Sequence, residues 1–173
     1  MPPAFGVLFV GINPGIRSAA IGHHFAGYSN RFWKLLFESG LVPEKITAEE
    51  DTRLPGWGYG LTNLIPRQTP GIDTLRPGEY VAGLRALRRK VRRWRPRIMA
   101  LVGVTLFRSV FQRAAGPVPL GLQPDMFESA HVFVLPNPSG RNANYSYAEM
   151  LAAYQQLHAL INRMNTNSVT PTE

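Results

Sequence analysis

Short apolar runs that end in turn residues are the first pattern in this chain. They occupy residues 6–15, 98–103 and 132–135, and a fourth, less regular run lies within residues 56–66. Runs of this length, rich in β-branched and aromatic residues and closed by Gly, Pro or Asn, are typical of strands buried on both faces. We therefore predict four strands, with Asn13 on the loop at the carboxyl end of the first.

Helical periodicity fills much of the sequence between these runs. The spacing of apolar residues predicts helices over residues 30–40, 79–94, 105–113 and 147–164. Ser29 or Asn30 is the expected N-cap of the first helix and Gly40 its stop, and a capping-box pattern at Thr47 indicates a further short helix. Over 79–94 the apolar residues recur at steps of four and three, so they make one stripe while the other faces carry arginines.

The alternation of buried strands and helices predicts a three-layer α/β/α domain with a mostly parallel central sheet. At 173 residues, 45% of them hydrophobic, the chain suits one domain with a sizeable core. We place this domain at residues 1–164 and expect the polar tail 165–173 to be disordered. Ligands bind such sheets at the carboxyl ends of the strands, so the loops there are the first candidates for a site.

The chain contains no cysteine. This excludes disulfides, thiolate zinc sites, cysteine-ligated iron–sulfur clusters and a thiol nucleophile. The sequence shows no secretory leader, and no apolar run reaches the length that spans a bilayer. We therefore expect a cytoplasmic protein without a membrane partner, associated with the nucleoid if its source is bacterial.

The net charge of +8 belongs to one segment, residues 85–97, which holds eight basic residues and no acidic one. Without the eight basic residues of that segment, the chain would hold 11 basic and 11 acidic residues. The pattern is consistent with a surface that faces a polyanion and equally with an ordinary solvated helix face. The eight residues are Arg85, Arg88, Arg89, Lys90, Arg92, Arg93, Arg95 and Arg97.

The loop around Asn13 is the strongest local candidate for chemistry. Its amide can both donate and accept hydrogen bonds, and the flanking Gly11 and Gly15 allow a ligand to approach closely. Taken alone, an Asn-Pro-Gly segment is more often a simple turn. A second Asn-Pro loop follows the last strand at residues 136–140. Two such loops at strand ends favour a shared pocket with convergent polar groups.

These two loops resemble the mismatch-specific uracil and thymine DNA glycosylases of the uracil-DNA glycosylase superfamily. The resemblance covers residues 7–157 and implies excision of uracil, with thymine and related damaged pyrimidines as further candidates, from mispairs with guanine in double-stranded DNA. It implies that the reaction leaves an abasic site. We expect a monomer that needs no cofactor, with an abasic-site endonuclease acting downstream. The matching segments are 11–15, 22–25, 30–34, 60–63, 69–71 and 137–140.

The resemblance also implies roles for residues of a base pocket. Asn13 matches the asparagine that positions the attacking water, Phe25 the aromatic residue that stacks on the extruded base, and Asn63 a residue at the base edge. Ser18 and His24 match positions that line the pocket near the pyrimidine 5-position. The remaining pocket positions are Gly11, Ile12, Pro14 and Gly15.

A second implied element is a loop that enters the minor groove. Arg141 occupies its wedge position, where the side chain can fill the space left by a flipped base. A solvent-exposed loop arginine that contacts only phosphates is the alternative. The other residues of this loop are Asn137, Pro138, Ser139 and Gly140.

The chemistry of the reaction agrees with these residue types. Breaking the glycosidic bond leaves negative charge on the departing base, which the N–H groups available in the turn from Ile12 to Gly15 can stabilise while Asn13 orients water. Because an amide is a poor general base, slow turnover is expected. Asp73 is a further carboxylate, for which turn formation is the better interpretation. Adjacent histidines at 23–24, without other ligands at suitable spacing, make a poor metal site, so we expect no metal.

Two other classes of function stay open. A non-catalytic DNA-binding protein would use the arginine-rich helix for phosphates and Arg141 for the groove, but it leaves Asn13 and Phe25 without a role. A nucleotide-binding enzyme with a phosphate loop at residues 11–15 ranks last, because the sequence lacks the glycine spacing and the Gly-Lys-Ser/Thr ending of such loops.

Overall fold

A central five-stranded sheet positions the rest of the molecule. In the computed structural model, which describes residues 6–12, 25, 30–66, 76–113 and 116–167, the strand order is β2-β1-β3-β5-β4. The strands are β1 (Val7–Gly11), β2 (Tyr59–Asn63), β3 (Ile98–Val102), β4 (Gly121–Phe127) and β5 (Ala130–Leu135).

Four of these strands run in the same direction. β1 lies between β2 and β3 and pairs with both in parallel, β3 pairs in parallel with β5, and β4 is antiparallel to β5. The carboxyl ends of β1, β2, β3 and β5 therefore open onto one edge of the sheet. The chain passes from β1 to β2 on one side and then to β3 on the other, so the connections diverge at the position where such sheets bind ligands.

Helices cover both faces of the sheet, which confirms the predicted three-layer α/β/α architecture. Alternate residues of β1 reach the two cores: Val7 and Phe9 lie in one, Leu8 and Val10 in the other. The first core holds α1 (Phe32–Glu38), a 3₁₀ helix (Ala48–Trp57) and α4 (Tyr147–Asn167), and the second holds α2 (Pro77–Trp94) and α3 (Val104–Phe111).

The four predicted strands are present, but β4 was not predicted. Its sequence contains Pro124, which argues against a strand because proline cannot donate to the ladder. Two of its apolar residues, Leu122 and Met126, are about half exposed, and the register with β5 shifts between them. As an irregular edge strand, β4 tolerates proline and carries no buried apolar run for the sequence to reveal.

Several helix ends differ by a few residues from the prediction, and those of α1 and α4 involve specific contacts. Arg31 rather than Ser29 or Asn30 occupies the N-cap position of α1, although the Asn30 side chain still accepts a hydrogen bond from the Phe32 N–H at 2.9 Å. Helix α4 continues to Asn167, so the prediction of a disordered tail is wrong for residues 165–167. Arg97 contacts this last turn, donating to the Met164 carbonyl and to the Asn165 side chain, both at 3.0 Å. Residues 168–173 lie outside the described part.

The arginine-rich helix α2 packs on the sheet through its predicted apolar stripe. Leu87 and Val91 are buried, and Tyr80, Leu84 and Trp94 pack half-buried against the same core. Within the described residues, no helix is both long and apolar enough to cross a lipid bilayer.

A glycine sets the distance between α2 and the end of β2. A Cβ at Gly83 would lie 2.2 Å from the carbonyl oxygen of Leu64, which is backbone. We expect Gly83→Ala to lower the free energy of unfolding by about 1–3 kcal/mol, because the helix must move off the strand. Gly78→Ala is the matched control: it lies in the first turn of α2 with no atom within 4 Å of the added Cβ, and should stabilise by up to about 1 kcal/mol. Urea unfolding measures both, and equal effects would contradict the close packing.

Two buried tyrosines should respond differently to loss of the hydroxyl. Tyr59, at the start of β2, donates to the Leu41 carbonyl at 2.6 Å, whereas no partner for the Tyr154 hydroxyl exists among the described residues. We expect Tyr59→Phe to cost about 1–3 kcal/mol and Tyr154→Phe to be neutral or stabilising.

Burial raises the pKa of Tyr59 to about 12, against about 10 in an unfolded chain. The unfolded state therefore loses its proton first, and the stability that Tyr59 contributes is complete below pH 10 and lost between pH 10 and 12. The midpoint temperature of thermal unfolding should fall more steeply across this pH range for the wild type than for Tyr59→Phe. Parallel curves would contradict this assignment.

Candidate functional site

The residues of the candidate site gather where the parallel strands end. Gly11 is the last residue of β1 and Asn63 the last residue of β2, and the parallel register places the two opposite each other. The loop 136–141 follows β5 and opens onto the same edge of the sheet. The expectation that the ends of the first and last predicted strands face one region is consistent with this topology.

The contact between Gly11 and Asn63 is unusually close. A Cβ built on Gly11 would lie 2.7 Å from the Asn63 Oδ1 and 3.5 Å from Cζ of Phe25. Gly11 therefore matters for space: any side chain there would meet the Asn63 amide directly. The three residues are brought together from segments far apart in sequence.

Phe25 occupies a backbone conformation that phenylalanine rarely adopts. Its φ is +51°, in the left-handed region, where a non-glycine side chain is disfavoured. Its ring packs against Phe32 of α1, with centroids 4.1 Å apart and planes inclined by 30°. A strained aromatic residue held by such packing at a strand end is the kind of outlier that occurs at ligand sites.

Main-chain pairing between the ends of β1 and β2 continues beyond the strands. The Leu64 N–H donates to the Gly11 carbonyl at 2.8 Å, and the Ile65 N–H donates to the Ile12 carbonyl at 2.7 Å. The hydrogen bond from Ile65 fixes the carbonyl group of Ile12, and Asn13 is the next residue in the chain. The attachment point of the Asn13 loop is therefore fixed.

The loop after β5 is organised by its own side chains. Asn137 Oδ1 accepts from the Ser139 N–H at 3.0 Å, and Ser139 Oγ accepts from the Arg141 N–H at 3.2 Å. The Asn142 side chain closes the loop by donating to the Asn137 carbonyl at 3.0 Å. Pro138 is buried, whereas Asn137, Gly140 and Arg141 are exposed. The loop thus presents exposed residues on a hydrogen-bonded frame.

This frame is tied to the segment that leads into α1. The Arg31 N–H donates to the Pro138 carbonyl at 2.9 Å, and Asn30 forms an antiparallel bridge with Ser139. The loop after β5 is therefore coupled to α1, whose Phe32 packs against Phe25. One chain of contacts joins the loop to the pocket residues.

Three residues that the sequence analysis did not assign to the site support it. Gly103, with φ +123°, follows β3, and its N–H donates to the Leu135 carbonyl at 2.8 Å, beside the loop after β5. Asn142 closes that loop. Lys90 is half-buried and donates from Nζ to Thr62 Oγ1 at 2.7 Å, next to Asn63, and burial lowers its pKa. Gly103 could have been found from the sequence, because it ends an apolar run. The roles of Asn142 and Lys90 depend on tertiary contacts, which the sequence does not show.

Several predicted residues lie outside the part of the chain that the structure describes. Asp73 is one of them, and the others belong to the predicted pocket: Asn13, Pro14, Gly15, Ser18 and His24. Among the described residues, no group of three or more His, Cys, Asp or Glu side chains is placed to hold a metal ion.

Both a family model and curated proteins match this chain. The family model described as the uracil DNA glycosylase superfamily matches residues 1–158. A protein of Schizosaccharomyces pombe (strain 972 / ATCC 24843), named G/U mismatch-specific uracil DNA glycosylase, is 40% identical over 147 residues, which cover 80% of this chain and 45% of that protein. The chain thus spans somewhat less than half the length of this curated relative.

Proposed function

The chain belongs to the uracil DNA glycosylase superfamily, and from that premise we propose that it hydrolytically excises uracil mispaired with guanine in double-stranded DNA. The observation that carries the proposal is the convergence of Gly11, Phe25 and Asn63 at the strand ends, beside a preorganised loop at the same edge. The name of the Schizosaccharomyces pombe relative supports the same substrate.

The pocket residues suit a flipped pyrimidine. A base must leave the duplex to be cut, and this costs least at a mispair, which is one source of mismatch selectivity. In the proposed complex the Phe25 ring, with one face packed on Phe32, stacks its other face on the base. The Asn63 amide can donate and accept at once, as the edge of uracil requires, because uracil offers both carbonyl oxygens and an N–H.

The proposed reaction needs no covalent enzyme intermediate. The water oxygen bonds to C1′ while the C1′–N1 bond breaks, its electron pair leaves with the base, and the proton of the water passes to solvent. Asn13 orients this water, and the backbone N–H groups of Ile12, Asn13 and Gly15 stabilise the departing anion. Since an amide is a weak base, the acceleration comes mainly from positioning and electrostatics, and turnover is slow.

The loop after β5 is the proposed DNA-binding element. Exposed Arg141 at its tip fills the vacated stack from the minor groove and attracts nearby phosphates. The bonds of Asn137, Ser139 and Asn142 hold the loop before DNA arrives, so less conformational freedom is lost on binding.

We further propose that a monomer acts in the cytoplasm, on nucleoid DNA if the source is bacterial, and that an abasic-site endonuclease processes the product. Whether thymine is also cut depends, in this proposal, on Ser18 and His24 near the pyrimidine 5-position, since one methyl group is worth about 1–3 kcal/mol in a pocket.

The proposal predicts the outcome of single-turnover excision without added metal. Duplexes carrying G·U, G·T, A·U or G·C, and single-stranded DNA with uracil, are compared for the wild type and Asn13→Ala. We expect G·U to be cut fastest and Asn13→Ala to lower its rate by about 10²-fold or more while binding persists. The G·T duplex decides the thymine question.

Absence of cutting at enzyme excess, with equal binding of every duplex, would contradict the proposal and favour a non-catalytic DNA-binding protein. A wild-type rate on G·U for Asn13→Ala would remove Asn13 from the mechanism while leaving the activity in place.

The contact between Gly11 and Asn63 gives a second prediction. Gly11→Ala should lower G·U excision about 10-fold, because the added Cβ displaces the Asn63 amide, with less than about 1 kcal/mol change in stability. In an Asn63→Ala background the same substitution should have little further effect, since the two residues are in contact.

Gly6→Ala is the matched control for this cycle. Gly6 lies at the other end of β1, and an added Cβ would meet only the Gly58 carbonyl oxygen, at 3.8 Å. We expect no change in excision. Additive effects of Gly11→Ala and Asn63→Ala would contradict a shared role at the base edge.

A further inference from the structure

The solvent face of α2 carries a row of arginines that the candidate site does not use. Arg85, Arg89 and Arg93 are spaced by four residues, so they lie on one side of the helix, away from buried Leu87 and Val91. All three are exposed, and no described residue forms an ion pair or hydrogen bond with their side chains. We call these three residues the arginine stripe.

Neighbouring basic residues on α2 are, by contrast, already engaged. Arg88 and Arg92 both pair with Glu128 in the turn between β4 and β5, at 3.2 and 3.1 Å. These hydrogen bonds lower the pKa of Glu128. Lys90 binds Thr62. Among the described residues, the arginine stripe is therefore positive charge that no internal pair neutralises.

The stripe runs away from the candidate site. Helix α2 begins on the side where β2 ends and finishes just before β3 begins, so it is antiparallel to the strands. Gly83 packs against the Leu64 carbonyl, where β2 has just ended, so Arg85 lies nearest to the candidate site. At 1.5 Å per residue, Arg93 lies about 15 Å further along the axis than Gly83, toward the opposite edge of the sheet.

We propose that the arginine stripe binds the phosphate backbone of a second segment of double-stranded DNA, separate from the segment held at the candidate site. That a first DNA segment is held at the candidate site rests on the proposed function, whereas the binding of DNA to the stripe does not. A single-sign row of guanidinium groups suits phosphates, which arginine can bind through two parallel hydrogen bonds. An acidic protein partner is less favoured, because the apolar side chain exposed on the same row, Val81, is of a residue type that is under-represented among interface hot spots.

The test uses undamaged duplex DNA, so it does not depend on excision. Binding is measured by fluorescence anisotropy across a salt series for the wild type and for R85Q/R89Q/R93Q. The control variant, K45Q/R163Q, removes exposed charges on the opposite side of the sheet, Lys45 before the 3₁₀ helix and Arg163 in α4. A plot of log affinity against log salt has a negative slope, and lost phosphate contacts make it shallower by about 0.9 each. We expect the slope to become shallower by about 2.7 for the stripe variant and by less than about 1 for the control.

A capture experiment tests the second segment. Asn13→Ala protein is loaded on an immobilised G·U duplex, and a labelled undamaged duplex is added. The proposal is supported if the labelled duplex is captured by Asn13→Ala protein but not when R85Q/R89Q/R93Q is added to it. In protein that keeps Asn13, R85Q/R89Q/R93Q should leave G·U excision unchanged. The proposal is overturned if the stripe variant has the same salt slope as the wild type, or if the stripe and control variants lose equal amounts of slope. It is also overturned if no second duplex is captured, or if the stripe binds polyglutamate in preference to DNA. If excision fails but the slope still falls, the proposed function is wrong and the DNA contact stands.

Discussion

The parallel pairing of β1 with β2 is the constraint on which the candidate site depends. It sets Gly11 opposite Asn63 and carries on past both strands through the bonds of Leu64 and Ile65 to the carbonyls of Gly11 and Ile12. A slip of one residue would turn Asn63 to the other face of the sheet. Buried side chains on both faces of β1 oppose such a slip, so the packing of the two cores fixes the geometry of the pocket.

The loops at this edge are joined to one another as well as to the sheet. Arg31 and Asn30 tie the loop after β5 to the start of α1, and Phe32 of α1 supports Phe25. The elements proposed to enter the DNA and to hold the base are therefore mechanically linked. Such a linkage suits an enzyme whose acceleration comes from positioning, because small displacements of a bound substrate are costly to the rate.

Much of the fold could be predicted from the sequence, because continuous apolar runs and the stripe over Tyr80 to Trp94 have simple periods. Strand β4 could not, since Pro124 and two half-exposed apolar residues give it no buried pattern. The contact between Gly11 and Asn63 joins residues 52 positions apart and depends on register, which no local pattern contains. The pairing of Arg88 and Arg92 with Glu128 was hidden for the same reason, although the charge of the segment was plain.

The most direct test of the central claim is mass-spectrometric detection of free uracil after incubating excess protein with a G·U duplex. We expect one uracil for each abasic strand formed, with no protein–DNA adduct, because water is the nucleophile. Strand loss without free uracil, a covalent adduct, or no uracil at all would contradict it.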